Sequence, residues 1–375
     1  MKDNKRIYLS PPHMSNIEKE LLFDSFNSNW IAPIGPHLNQ FEENMSSYLD
    51  GYHTAALSSG TAALHLALKI IGIKEGDFVL CPSLTFVATA NSILYAKAYP
   101  IFIDSDKENG LINLECLEHA LKKYKPKALI TVDLYGYSCD YDIILELCSK
   151  NNVHVIEDAA EALGSEYKSR KCGTFGSMGI FSFNGNKIIT TSGGGMLISD
   201  NQEYVKKAKF LSTQARENQI YYEHKELGYN YRMSNILASI GIGQLNKIDD
   251  YVLKRSAIFD RYKKSLSHIK GFSFPNEVVY GKSNHWLTIF SIDPKKLKIS
   301  RDEIIIALEK ENIESRPIWK PMHLQPLYKG YEYVSKKSKD ISAKLFQNGL
   351  CLPSGSSLSE KDQDKIIQVI KLLIK

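Results

Sequence analysis

The chain has 375 residues, 43% hydrophobic and 24% charged, which is enough apolar content to bury a sizeable core and excludes global disorder. Lys and Arg number 47 against 42 Asp and Glu, and the resulting +5 is too dilute over this length to suggest a nucleic-acid-binding protein. At roughly 100–200 residues per domain the length favours two domains, and no run approaches the ~18 apolar residues of a membrane helix.

The first residues, Met1 to Arg6 followed by Ile7-Tyr8-Leu9-Ser10-Pro11-Pro12, lack the apolar stretch of a signal peptide, so the expected location is the cytoplasm. Residues 17–29 and 36–49 carry apolar side chains at helical spacing. Between them Pro33, Gly35 and Pro36 force a loop that presents Trp30. An alternating pattern then begins. Strands are expected at 54–57, 78–80, 99–103, 128–132, 153–156, 179–183 and 196–199, and helices at 61–71, 86–98, 113–124 and 141–150. Short apolar strands alternating with such helices predict an α/β fold, a mostly parallel sheet covered on both faces. Beyond residue 200 the pattern changes to helices at 201–211 and 233–267, a strand at 286–292, and helices near 302–312, 340–349 and 359–374. That stretch reads as a smaller α+β unit, and the division is placed at 1–245 and 246–375. The six cysteines (Cys81, Cys116, Cys139, Cys148, Cys172 and Cys351) form no CxxC pair and are expected to be buried or idle thiols, not a zinc site or disulfide scaffold.

In a doubly wound sheet, ligands bind beyond the C-terminal strand ends, and the chemically suggestive residues fall there. Ser58-Ser59-Gly60-Thr61-Ala62-Ala63 joins a strand to a helix; its small residues let amides of the first turn approach an anion, and an ordinary Ser cap is the plainer alternative. Phe86 opens the next helix and could stack on a flat ring or simply enter the core. Ile156-Glu157-Asp158-Ala159-Ala160-Glu161 ends a strand in carboxylates among apolar neighbours. A buried Asp there needs a partner, which a protonated pyridine nitrogen, a metal or a helix cap could supply. Lys187 stands between an apolar strand and an apolar, glycine-rich segment, where desolvation lowers a lysine's proton affinity and makes it a nucleophile toward an aldehyde. An anion site, a stacking ring, a buried Asp and a lysine, in this order and each at a strand end, match what pyridoxal phosphate requires. No metal is called for. The Gly-x-Gly-x-x-Gly of a dinucleotide-binding fold and the Gly-Lys-Ser/Thr of a phosphate loop are both missing.

These segments resemble the sugar-nucleotide aminotransferases of the aspartate-aminotransferase fold (PLP fold type I), the DegT/DnrJ/StrS group. The resemblance rests on Ser59-Gly60-Thr61-Ala62-Ala63-Leu64, Thr85-Phe86-Val87-Ala88-Thr89-Ala90, Glu157-Asp158-Ala159-Ala160-Glu161 and Ser182-Phe183 with Lys187. Gly228-Tyr229-Asn230-Tyr231-Arg232-Met233 and Arg316-Pro317 with Lys320-Pro321-Met322-His323 complete the set. It implies a large domain with a seven-stranded, mostly parallel sheet and a smaller C-terminal domain. It also implies that Lys187 holds pyridoxal 5'-phosphate as a Schiff base, Asp158 pairs with the pyridine nitrogen and Phe86 covers the ring. Gly60, Thr61, Ala62 and Ser182 would hold the phosphate, and Glu161 falls where the family places a partner for the ring hydroxyl. Asn230 would reach the phosphate of a second subunit, making a homodimer with shared active sites. Trp30, Arg232, Trp319 and His323 are candidate substrate contacts. Leu9-Ser10-Pro11-Pro12-His13-Met14, residues 184–196 and Ser212-Thr213-Gln214-Ala215-Arg216-Glu217 resemble most the bacillosamine-pathway branch of this family. That branch implies a ping-pong transamination from L-glutamate to a UDP-linked 4-keto-6-deoxy-N-acetylhexosamine, for surface glycan or protein glycosylation. The same chemistry on a GDP- or dTDP-linked sugar (perosamine-type) and a non-catalytic regulator on the same fold are the alternatives.

Overall fold

The computed structural model describes residues 5–276, 278–336 and 339–374. Seven strands form the frame of the large sheet: β1 (His53–Leu57), β2 (Phe78–Pro82), β3 (Tyr99–Ile103), β4 (Ala128–Val132), β5 (His154–Asp158), β6 (Met178–Ser182) and β7 (Gly195–Ser199). Their order across the sheet is β1-β7-β6-β5-β4-β2-β3. β7 runs antiparallel to both neighbours and the remaining pairs are parallel. β4 is buried along its whole length, which is why it reads as a continuous apolar run: both of its faces are covered. Successive residues along a strand enter different packing clusters. Leu129 and Val155 pack under the helices Leu114–Tyr124 and Tyr141–Lys150, whereas Ile130 and Ile156 pack under Gly60–Ile70 and Val87–Tyr95.

The expected seven strands gain an eighth. Tyr333–Val334, from the C-terminal part of the chain, pairs in parallel with β3 at the sheet edge. Two residues are too few to show strand periodicity, and the pairing rests on amides of Phe102 and Asp104 donating to the carbonyls of Glu332 and Val334 at 2.9 Å each. The single helix expected over 233–267 is two, Asn235–Leu245 and Ile248–Leu266. Lys247 between them leaves helical geometry at φ −112°, ψ 3°, and Asp249 and Asp250 open the first turn of the second helix, where negative charge suits the helix dipole. The helix expected at 86–98 is the shorter Val87–Tyr95.

A second, antiparallel sheet is built from Phe272–Ser273, Thr288–Ile292, Gly349–Leu352 and Arg316–Pro317. Its core takes in Ile304 and Leu308 of the helix Arg301–Lys310 and Ile366, Ile367 and Ile370 of Glu360–Leu373. Ile7 joins that core and bridges to Ile313, so the start of the chain is tied to its C-terminal part. All six cysteines are buried thiols. Among the described residues no helix is long and apolar enough to cross a membrane.

Candidate active site

The loops that follow β1, β2, β5 and β6 converge on a cavity of about 240 Å³. One end is made by the start of the helix Gly60–Ile70, where Ser59 caps the helix by accepting the Ala62 amide at 3.0 Å. The remaining first-turn amides of such a helix are unpaired within it and favour an anion. Gly60, Thr61 and Ser182 line this end, whereas Ala62 does not and its amide is taken by the Ser59 cap. Glycine is required beside it. A Cβ on Gly195 would lie 2.3 Å from the Gly60 nitrogen and 2.4 Å from the Ser59 carbonyl carbon, so β7 can pass the helix start only without a side chain there.

Asp158 ends β5 with its carboxylate in the cavity, accepting the Thr89 hydroxyl at 2.7 Å and the Ala160 amide at 3.3 Å. Burial raises its pKa, against the lowering effect of those two bonds and of the Lys187 charge. Glu161 is also buried. It accepts the Tyr135 amide at 2.7 Å and the Trp319 indole N–H at 3.2 Å, and burial pushes its pKa up while Lys187 opposes this. Lys187 lies in the same cavity, its Nζ 3.7 Å from Glu161 and 3.9 Å from the centroid of the Trp286 ring. Burial depresses its pKa, with Glu161 and then Asp158 pulling the other way. Phe86 stands half exposed at the mouth, 5.2 Å from the Trp319 ring.

The structure therefore brings Gly60, Thr61, Phe86, Asp158, Glu161, Ser182, Lys187 and Trp319 together around one cavity. Asn230, Trp30, Arg232 and His323 lie outside its lining. Asn230 is exposed and bridges to Thr213. Trp30 is 44% exposed, its carbonyl held by the Asn235 side chain. Arg232 is occupied by an ion pair with Glu42 and by the Ala56 carbonyl at 2.9 Å. His323 is held between the Ser83 hydroxyl at 2.7 Å and Asp340 at 2.9 Å. Glu157, the neighbour of Asp158, points into the protein instead. There its carboxylate accepts the amides of Gly173 and Phe175 and lies with Asp133 and Cys172, all three buried, with ligand-type atoms within 4.8 Å of one another.

Asn186 and Trp286 in the cavity lining, and Thr89 behind Asp158, were given no role from the sequence. Thr89 lies in the first turn of the helix Val87–Tyr95, which Phe86 precedes in extended geometry, and it is buried against Asp158 while Phe86 is half exposed. Trp286 belongs to a distant strand and carries no local signal.

This donor set fits pyridoxal phosphate. An anion-binding helix start and a serine lie at one end, and a buried carboxylate and a desolvated lysine amine share the cavity. A doubly wound sheet bearing such a site defines a PLP-dependent enzyme of the aspartate-aminotransferase type. Known proteins agree. The profile of the DegT/DnrJ/EryC1/StrS aminotransferase family matches residues 12–371. EpsN of Bacillus subtilis (strain 168), provisionally named a pyridoxal phosphate-dependent aminotransferase, is 50% identical over 98% of this chain and 95% of its own. The GDP-perosamine synthase of Caulobacter vibrioides is 35% identical over 99% of each chain. The UDP-4-amino-4,6-dideoxy-N-acetyl-beta-L-altrosamine transaminase of Campylobacter jejuni is 37% identical over 88% of this chain and 87% of its own. A crystal structure of a DegT DnrJ EryC1 StrS aminotransferase from Brucella abortus superposes with a TM-score of 0.88 at 29% identity, covering 96% of this chain and 95% of that one. The chain belongs to the DegT/DnrJ/EryC1/StrS aminotransferase family. It is a PLP-dependent sugar aminotransferase.

Proposed function

We propose that the chain transfers the amino group of L-glutamate to the 4-keto carbon of a UDP-linked 4-keto-6-deoxy-N-acetylhexosamine, giving the UDP-4-amino-4,6-dideoxy sugar and 2-oxoglutarate. The observation that carries this reading is the Lys187 amine, buried in one cavity with Asp158 and Glu161. When bound, pyridoxal phosphate supplies an aldehyde that carries the amino group and a ring that accepts the electrons left at the substrate carbon. The chain supplies the rest. Lys187, made less basic by burial, would take the proton from the substrate carbon and deliver it to the cofactor carbon that bore the aldehyde. Asp158, fixed by Thr89, would pair with the ring nitrogen. Glu161, its oxygens already directed by Tyr135 and Trp319, faces the ring hydroxyl. Gly60, Thr61 and Ser182 hold the phosphate, with Asn230 of a second copy reaching it in a homodimer. Phe86 covers the ring, and Trp319 meets the sugar. Residues 1–245 form the cofactor domain, and 246–375 form the smaller domain that closes over it.

The UDP assignment draws on the bacillosamine-branch segments and on the name of the Campylobacter relative. A GDP-linked substrate is the second reading, favoured by the likeness to GDP-perosamine synthase over nearly the whole chain. Competition among UDP-, GDP- and dTDP-4-keto-6-deoxy sugars with glutamate as donor separates them, and a preference for GDP overturns the UDP assignment. Colour tests the site. The purified protein with pyridoxal phosphate is expected to show a visible band that Lys187→Ala abolishes, together with a loss of at least ~10³-fold in turnover.

A further inference from the structure

The Lys187 ammonium makes no short contact with either carboxylate. Glu161 lies 3.7 Å away, beyond hydrogen-bond reach, and Asp158 acts on it only through space. What Nζ does contact is the face of the Trp286 indole, 3.9 Å from the ring centroid. A cation over an indole is attracted by the negative face of the ring, and the attraction grows when both groups are out of water, as Lys187 and the 1%-exposed Trp286 are. The indole is itself held in place. Its Nε1 donates to the Asn186 carbonyl at 2.7 Å, and the Ser10 hydroxyl donates to the same oxygen at 2.7 Å. Both donors are fastened behind by the buried Arg255, which donates to the Trp286 carbonyl at 2.5 Å and to Ser10 at 3.0 Å. Tyr135 stacks near-parallel to the indole, at 13°. The residue immediately before Lys187 is thus clamped from the N-terminal segment and from the segment leading into the second sheet.

We propose that Trp286 is a positioning residue for Lys187: its indole face is the resting place of the free ammonium, and its Nε1–H, through the Asn186 carbonyl, aims the lysine into the cavity. This rests on the role assigned to Lys187 above. In that role the lysine amine must carry a proton without leaving the site or pairing permanently with a carboxylate. An indole face holds the cation without offering an acceptor that would keep the proton.

The test is competitive acetylation of the cofactor-free protein with acetic anhydride from neutral to alkaline pH, quantified at Lys187 by peptide mass spectrometry. Trp286→Leu is expected to lower the pH midpoint of Lys187 labelling by roughly half to one unit, because the charged form loses its partner. Trp286→Phe keeps a ring face and is expected to shift it less, while both variants capture added pyridoxal phosphate more slowly, about tenfold, having lost the bond to Asn186. An unchanged midpoint in a folded Trp286→Leu protein overturns the proposal. If that variant does not fold, wild type against Lys187→Met decides. The indole emission of the wild type is expected to change across the Lys187 midpoint and to stay flat in Lys187→Met; a flat wild-type profile overturns the proposal. Failure of the role assigned to Lys187 reads differently: the visible band would persist in Lys187→Ala, whatever Trp286 does.

Discussion

Lys187 and Asp158 act through environments that a few neighbours set. The Thr89 hydroxyl is the shortest contact to the Asp158 carboxylate, and it lowers a pKa that burial raises. Thr89→Val removes that donor at nearly constant volume. A hydrogen bond to a charged group is worth about 1.5–3 kcal/mol, so turnover is expected to fall roughly ten- to a hundredfold. The sign of the pH effect follows. With the bond gone, Asp158 is harder to ionise, so the acid limb of the pH–rate profile moves to higher pH, measurable in a profile of kcat. Thr89 lies in the first turn of the helix that follows β2, and its bond to Asp158 joins two strand ends that only the folded sheet makes adjacent.

Among the elements, β7 and β5 carry constraints that bear directly on the cavity. Gly195 lets β7 pass against the backbone of Ser59 and Gly60. Gly195→Ala is expected to cost about 1–3 kcal/mol through overpacking and to displace the helix start, seen as a lower Tm and a weaker affinity for pyridoxal phosphate. On β5 the pleat sends Asp158 to the cavity and Glu157 to the interior beside Asp133. Burial, above all other influences, raises both interior carboxyls, Asp133 to about 6 and Glu157 well above its usual value. A folded state that holds protons the unfolded chain releases is most stable at acid pH. Asp133's contribution is therefore present below its unfolded value near 4 and is lost as pH rises through about 6, and Glu157's is lost only at higher pH. Asp133→Asn keeps an acceptor for the Cys139 amide and the Tyr141 hydroxyl and places an N–H toward Glu157. Thermal melts of the variant are expected to show a shallower fall in Tm across that window than those of the wild type. The Glu157-Asp158 dipeptide shows in the sequence that its two side chains face opposite ways, since a strand alternates. It does not show which one faces the ligand.

At the scale of the whole molecule, the proposed functional unit is two chains. With Asn230 in the neighbouring site, a mixture of Lys187→Ala and Asn230→Ala subunits is expected, after exchange, to regain about a quarter of wild-type activity, because each mixed dimer has one intact site. Recovery no greater than the Asn230→Ala protein alone places Asn230 in its own subunit's site, or outside any. The two ends of the chain are also interlocked: Ile7 enters the C-terminal core and Tyr333–Val334 extends the large sheet. The C-terminal part of the chain is therefore tied to the rest at more places than the helix Ile248–Leu266.

The alternation of short apolar strands with helices, the small residues at Ser58–Ala63 and the acidic end of β5 are local marks, because each follows from strand or helix geometry within a few residues. The sequence by itself therefore determined the seven-strand frame and the order in which Gly60, Phe86, Asp158 and Lys187 come to line one cavity. Contacts between distant segments leave no period behind. Packing alone decided that Trp286 lies under Lys187, that Arg232 is taken by Glu42, that Asp133 meets Glu157, and that two residues near the C-terminus complete the sheet. Those contacts form only once burial has brought the strand ends to one side and excluded the water that would otherwise satisfy each group separately.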